Sequence, residues 1–417
     1  MTDVHQVDGS SRKSPLQSSR QSSRQSPGQS SGQSSGQSSD QASLEAALDF
    51  QTRILGGVSR TFALTIPSLP GALRVPVTNA YLLCRIADTI EDDAGLPVEE
   101  KRASGREFIE VLWGNRSAAT FAETLAPRLA PETLAAERDL VARAEKVVEV
   151  TRSFGEVQRQ ALIRCVSLMS DGMHRFQQQV GLRGLDSQQR LDEYCYFVAG
   201  VVGEMLTELF CEYSGAIARR RQQLMRLAPS FGQGLQMTNI LKDVRADRER
   251  GVCWLPRTAF GLSPGGQSDL IAELDEERLR AGMERLAVVA HGHLQNALSY
   301  TLLIPRRYLG IRRFCLWALG MAVPTLDNIY CNPVFESGDE VKISRLDVRR
   351  IVRRYGLMAS SDVMLRKLFR RDSRRLPDSD PSVAKGLDEI SRNASVRAEA
   401  GFAEYGEHDL HDSVSAN

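Results

Sequence analysis

The chain has 417 residues, 42% of them hydrophobic and 25% charged. That is ordinary globular usage, and it excludes a collagen, a wholly disordered chain or a polytopic membrane protein. Lys and Arg number 53 against 52 Asp and Glu, a net charge of +1, which argues against nucleic acid as the main partner, because phosphate-backbone binding needs a clear basic excess.

Residues 1–43 read as a disordered tail. Glutamine recurs every fourth residue from Gln17 to Gln41, with Ser, Gly and Arg between. Such a tract cannot bury enough surface to offset its ordering entropy. No apolar run follows Met1, so it does not read as a signal peptide. From residue 44 to 371 apolar residues recur at three and four, which predicts one large all-α domain. The clearest helical stretches are Leu44 to Leu55, Asn79 to Asp92, Arg159 to Val180, Leu191 to Phe210, Leu224 to Val244, Glu276 to Leu303 and Val348 to Tyr355. Phe314 to Val323 is the most apolar stretch. It is too short to span a bilayer, so a buried or lid helix is expected. Residues 372–417 are polar, and disorder is expected there too.

The seven cysteines include no C-x-x-C pair and their count is odd. They read as reduced, mostly buried thiols of a cytosolic protein. His291 and His293 are two apart and would point about 200° apart around a helix, so they make no zinc pair.

Two segments carry chemistry. In the first, Tyr81, Arg85, Asp88 and Asp92 fall within about 60° of one another on a helical wheel, while Leu83, Ile86, Ala87 and Ile90 cover much of the rest. In the second, Gln236, Asn239, Asp243 and Asp247 share one face of an otherwise apolar helix. Carboxylates on apolar helices are costly to bury unless they are paired or hold a metal. Oxygen donors of this kind suit hard cations. Two such faces opposed in a bundle would clamp a diphosphate through Mg²⁺, since carboxylates alone would repel it.

These residues resemble a known family. Ser59-Arg-Thr-Phe62, Asp88-Thr-Ile-Glu-Asp92, Tyr194-Cys-Tyr-Phe-Val-Ala-Gly-Val-Val-Gly203 and Gln236 to Pro256 are similar, in type and order, to the motifs of squalene/phytoene synthases. The likeness covers about residues 50–345. Asp88-Thr-Ile-Glu-Asp92 and the stretch from Tyr300 to Leu326 look more like squalene synthases than phytoene synthases. The resemblance implies an all-α isoprenoid synthase bundle with a central channel. It implies Mg²⁺-dependent head-to-head condensation of two farnesyl diphosphates through presqualene diphosphate, then reduction by NADPH to squalene. The alternatives are a phytoene, dehydrosqualene or presqualene diphosphate synthase, or a non-catalytic helical assembly protein that kept the fold. Eukaryotic members carry a C-terminal membrane anchor, which this sequence lacks, so a soluble, bacterial-type, cytoplasmic form is expected.

Carried over residue by residue, the resemblance implies that Asp88, Glu91, Asp92, Asp243 and Asp247 hold Mg²⁺, with Gln236 and Asn239 beside them. Ser59, Arg60, Arg85 and Lys242 would contact diphosphate, with Lys242 standing where many relatives have Arg. Tyr81 and Tyr194 would sit near the reacting carbons. Phe62, Phe197 and Phe314 would line the prenyl channel. Lys342, in Val341-Lys-Ile343, is the candidate for the NADPH 2′-phosphate; no Rossmann glycine motif is present.

Arg345 to Arg375 holds eleven basic residues and three acidic ones. Arg349, Arg350, Arg353 and Arg354 fall on one side of an expected helix, with Val348, Ile351, Val352 and Tyr355 over much of the other. The segment reads as a bundle helix with a solvated basic face, or as a peripheral contact to anionic lipid.

Overall fold

The computed structural model describes residues 33–177 and 181–377, with 393 and 396, and side chains from residue 41 onward. The chain divides into a unit of residues 1–43 and a unit of residues 44–417. Helix α1 (Gln33–Val58) begins ahead of the expected start at residue 44. Once a helix is nucleated, extending it back through Ser, Gln and Ala costs little. The expectations for residues 1–32 and for nearly all of 378–417 lie outside the described residues.

The second unit is built from helices, and among the described residues it has no β-strand, only an isolated bridge between Leu185 and Pro256. This agrees with the all-α reading. After α1 come the short α2 (Arg60–Thr65) and the long α3 (Gly71–Asp92). Then follow α4 (Val98–Trp113), α5 (Ala118–Leu125), α6 (Ala135–Ala142) and α7 (Ala144–Ser153), which the apolar pattern did not single out. The next are α8 (Glu156–Gln177), α9 (Gln188–Cys195), α10 (Val201–Tyr213) and the one-turn α11 (Gly215–Ala218). The chain continues through α12 (Arg221–Glu249), α13 (Glu276–Leu303), α14 (Leu309–Cys331), α15 (Arg345–Met358) and α16 (Asp362–Asp372).

Helix α12 packs on α10, α13 and α14, and α3 packs on α8 and α10. These central helices are apolar around most of their circumference, as core helices must be. On α3, for example, Leu82, Leu83 and Ile86 are fully buried. The helix stops at Asp93, whose carboxylate accepts from the Gly95 and Ala130 backbone N–H groups (2.8 and 3.0 Å) and from the Thr133 hydroxyl (2.6 Å). The third acid of the Glu91-Asp92-Asp93 run is therefore a buried loop anchor.

The expected continuous helix from Leu191 to Phe210 is interrupted. Tyr196–Gly200 forms one π-helical turn between α9 and α10. The widened turn shifts every later residue around the axis. Gln188–Tyr213 and Leu309–Cys331 are long and apolar enough to cross a bilayer, but each is mostly buried within the bundle. They are core helices by packing.

Two further expectations meet side chains. Six cysteines are buried, Cys331 is exposed, and none is in a disulfide. On α13, His291 stacks on Phe369 of α16, with ring centroids 5.7 Å apart, while His293 turns toward α12 and meets Ser230 at 2.7 Å. The two imidazoles diverge as the helical phase requires.

The domain also runs past its expected end at residue 371. Leu376 is buried, Arg375 donates to the buried Asp327 carboxylate at 2.6 Å, and His291 Nδ1 lies 3.1 Å from the Pro377 carbonyl. One leucine and one arginine in a polar stretch are too faint a pattern to mark a docked segment.

Candidate active site

A cavity of about 600 Å³ opens between α2, α3, α10, α12 and α14. Its inner wall is apolar, including Val202, Leu206, Phe231, Phe314 and Met321. Its other end is polar, with Ser59, Arg85, Asp88, Asn239, Lys242 and Lys342. Tyr81, Arg85 and Asp88 all face it from α3, and Gln236 and Asn239 face it from α12. The shared-face reading of the two helices is reproduced for these residues.

The α3 side is a linked set. The Tyr81 hydroxyl donates to the Val58 carbonyl at 2.9 Å and accepts from Arg85 at 3.1 Å. Arg85 lies 3.9 Å from Asp88 and 3.6 Å from Glu137 on α6. Burial works against the charge on Arg85, but Asp88, Tyr81 and Glu137 outweigh it, and the guanidinium stays charged. Burial pushes the Asp88 carboxyl up to about 7, against the pull of Arg85. Burial likewise raises Glu91 to about 7, against Lys101 and helped by Asp92 and Asp88. Asp92 stands open to solvent in the last turn. Desolvation by its surroundings still raises its carboxyl, opposed by Arg250, Arg85 and Lys101.

The α12 side is less evenly arranged. Asp243 is 44% exposed at the mouth, 3.1 Å from Lys242 Nζ, and Lys242 also reaches the Asn239 side-chain oxygen at 3.3 Å. Asp247 is buried and ion-paired with Arg250. Burial raises the Asp247 carboxyl and Arg250 lowers it, while Asp243 and Asp92 push it up. The field of Asp92 at Asp247 joins the two acidic motifs into one charged rim. Packing brings the loop after α14 to the same rim: a Cβ on Gly338 would meet the Lys242 carbonyl at 2.8 Å. Lys342, in that loop, lines the cavity and pairs with Asp339.

Phe62 and Phe314 line the cavity, 6.4 Å apart, with Phe62 also 4.8 Å from Tyr81. Phe197 does not line it. Phe197, inside the π turn, packs into the core, against Phe176 and over Gly172, where a Cβ would meet its ring at 2.2 Å. Val198 and Ala199 take the cavity wall instead. Tyr194 is stacked on Trp254, with ring centroids 3.7 Å apart, and burial holds its phenol well above the ordinary range. It lies within the field of Asp88, Glu91 and Asp92 rather than on the cavity wall. Arg60, the first residue of α2, is exposed and outside the wall. Ser59 caps α2, its Oγ accepting from the Phe62 N–H at 3.0 Å.

The sequence reading missed Glu137, Arg250, Lys101 and Trp254. Arg250 had a signal, since it stands three residues after Asp247 on the same helical surface. Glu137 had none, because only the fold brings α6 to α3.

Ala199 and Gly203 combine two roles. Both line the cavity. A Cβ on Gly203 would meet the Ala228 carbonyl oxygen at 2.1 Å, and one on Gly232 would meet the Ala199 carbonyl oxygen at 2.0 Å. Small residues here let α12 approach α10 and the π turn while keeping the space between open.

Among the described residues no three His, Cys, Asp or Glu side chains converge into a ready-made metal cage. The donor set still fits Mg²⁺, which takes one or two carboxylates and fills its remaining positions with water and phosphate oxygens. Asp88 and Glu91, held near neutrality by crowding and burial, are groups that a cation would return to full charge.

An all-helical bundle with two acidic rows at one end of an apolar cavity defines an isoprenoid-synthase-like architecture. The squalene/phytoene synthase family model matches residues 55–347. The chain belongs to that family. It is 28% identical over 322 residues to a probable squalene synthase of Neurospora crassa, covering 76% of this chain and 63% of that protein. With the squalene synthase of Rattus norvegicus it shares 27% over 341 residues, covering 81% and 77%. The chain thus spans somewhat under two thirds of the fungal relative. The solved complex of TcSQS with the ligand BPH1237 superposes with a TM-score of 0.63 at 26% identity, covering 85% of this chain and 99% of that one. A dehydrosqualene synthase crystal structure, at 20% identity and a TM-score of 0.51, shares the fold.

Proposed function

We propose that this protein condenses two farnesyl diphosphates head to head, through presqualene diphosphate, to squalene. The observation that carries this is the cavity itself, about 600 Å³, with a charged mouth framed by two acidic helices and an apolar depth. The names of the relatives agree with that shape.

In this reading Arg85 and Lys242 bind the diphosphate oxygens at the mouth. Asp88, Glu91, Asp92, Asp243 and Asp247 hold Mg²⁺, which when bound supplies the positive charge that stabilises a departing diphosphate. Arg85 is fixed for its task by Tyr81 and Glu137. Phe62, Phe314 and Leu206 hold the prenyl chains and exclude the water that would trap an allylic cation. Burial keeps the Tyr194 phenol protonated beside the acidic rim, and the proton lost in cyclopropane closure passes to Tyr194 or to the released diphosphate. Lys342, on the cavity wall, would meet an anionic group of NADPH, which when bound supplies the hydride for the final reduction.

Product analysis with purified protein, farnesyl diphosphate and Mg²⁺ tests this. Without NADPH, inorganic diphosphate and presqualene diphosphate or its solvolysis products should appear; with NADPH, squalene. A forty-carbon product made from geranylgeranyl diphosphate at a higher kcat/KM would replace this reading with phytoene synthesis. Dehydrosqualene regardless of NADPH would also overturn it.

A further inference from the structure

We propose that the outward ridges of α15 and α16 form a docking surface for an anionic lipid bilayer, with the turn between these helices as its apolar tip. Both helices pack on α14. Ile351 and Tyr355 of α15 are buried against Gly320, and Leu365 and Phe369 of α16 are buried as well. The opposite faces therefore point away from the bundle.

Those faces mix two kinds of residue. Leu346 and Leu357 on α15 are 54% and 69% exposed, and Val363 and Met364 on α16 are 62% and 40% exposed. Three of these four flank the α15–α16 turn. On the wheel, Leu346, Arg350, Arg353 and Leu357 lie within about 60° on the outermost strip of α15. Lys367, Arg370 and Arg371 hold the corresponding strip of α16, with Arg374 just past its end. Some of this charge is spent locally, since Arg350 pairs with Asp347, and Arg354 and Arg371 pair with Asp372. Among the described residues Arg349, Arg353, Lys367 and Arg370 make no ion pair and are exposed.

Basic side chains ringing exposed aliphatic ones are the chemistry of an interfacial surface: the charges meet lipid phosphates while the aliphatic tips enter the acyl boundary. A nucleic acid would use the charges but gain little from Leu357 and Val363. The location also serves the reaction. Ile343 and Val348, at the base of α15, line the cavity, so the apolar wall runs up to the helix that would face lipid. Delivery of a hydrocarbon product into the bilayer rests on the proposed function; the docking surface itself does not.

Co-sedimentation of the full chain with phosphatidylglycerol-containing and with pure phosphatidylcholine vesicles, at low and high salt, tests the proposal. Binding is expected with the anionic vesicles only, and it should disappear at high salt. The quadruple variant R349E/R353E/K367E/R370E should abolish it, each neutralised charge alone being worth about five-fold in partitioning. The variant L357S/V363S should weaken it several-fold with all charges kept. Thermal melting should show both variants folded, and both should keep wild-type diphosphate release in vesicle-free solution. Absence of that release in the wild type would refute the functional reading without touching the vesicle result. Equal pelleting with neutral vesicles, or no loss in either variant, would overturn the surface. Displacement of the protein from vesicles by a DNA duplex that binds it more tightly would reassign the ridge to nucleic acid and overturn it too.

Discussion

Asp88 lies beside Arg85 and yet is pushed up to about 7, because burial and the neighbouring carboxylates outweigh one arginine at 3.9 Å. Replacing it by asparagine separates its chemistry from its cost. Asp88→Asn and Asp243→Asn should each abolish turnover at saturating Mg²⁺ while circular dichroism stays unchanged; near-wild-type rates for either would sink the two-sided clamp. Asp88→Asn should also change the pH dependence of stability. The folded-state pKa of Asp88 is raised above the unfolded 3.8, so its contribution is fully present below about pH 4 and is lost as pH rises through about 7. In chelator, the asparagine variant should therefore melt above wild type at pH 8, and the gap should close near pH 4. A gap that grows toward acid would contradict the sign.

Helices meet here through absent side chains as much as present ones. Gly203 sits where any Cβ would run into the backbone carbonyl of Ala228, and backbone cannot swing aside as a long side chain can. Gly203→Ala should cost about 1–3 kcal/mol in denaturant unfolding. Because the same residue lines the cavity, KM for the prenyl substrate should rise as well. The π turn acts at this scale too. Phe197, near its start, stands over Gly172, so Gly172→Ala should destabilise by a similar amount with little direct effect on the cavity. An unchanged midpoint for both alanine variants would mean that the helices can separate freely, against the close packing seen.

For the whole molecule, the segment after α16 closes the bundle. Arg375 reaches back to the buried Asp327, and Leu376 is inserted into the core. Truncation after Asp372 should cost about 2 kcal/mol or more from the leucine alone. It should also leave the Asp327 carboxylate short of a partner, a further penalty of about 1–3 kcal/mol. Leu376→Ala and Arg375→Ala, measured separately by urea unfolding, should reproduce most of that loss; truncation without effect would show that the segment merely lies on the surface. Buried Asp192 and His293 set a second molecule-wide dependence. His293, lowered by burial to about 3, gives stability that is present above its unfolded value of 6.5 and lost as pH falls. Asp192, raised by burial to about 7, gives stability that is lost as pH rises through 7. The two windows overlap and oppose each other between about pH 4 and 6.5, so Asp192→Asn should steepen the rise of stability with pH across that range; an unchanged slope would contradict it.

The order of residues alone determined the helix class and the faces on which Tyr81, Arg85, Asp88, Gln236 and Asn239 stand, because helical phase is a local property of spacing. It also separated His291 from His293 for the same reason. What spacing could not carry was anything that depends on which helix neighbours which. Glu137 reaches Arg85 only because α6 packs on α3, and Arg250 feels the charge of Asp92 only because the fold brings two distant parts of the chain near each other. Phe197 packs against Phe176 and over Gly172 on another helix, contacts that spacing along its own helix does not show. Residues 373–377 joined the core because Leu376 and Arg375 found partners on other helices. Each of these turns on long-range packing, in which the energy of burying a group depends on what the rest of the fold places against it.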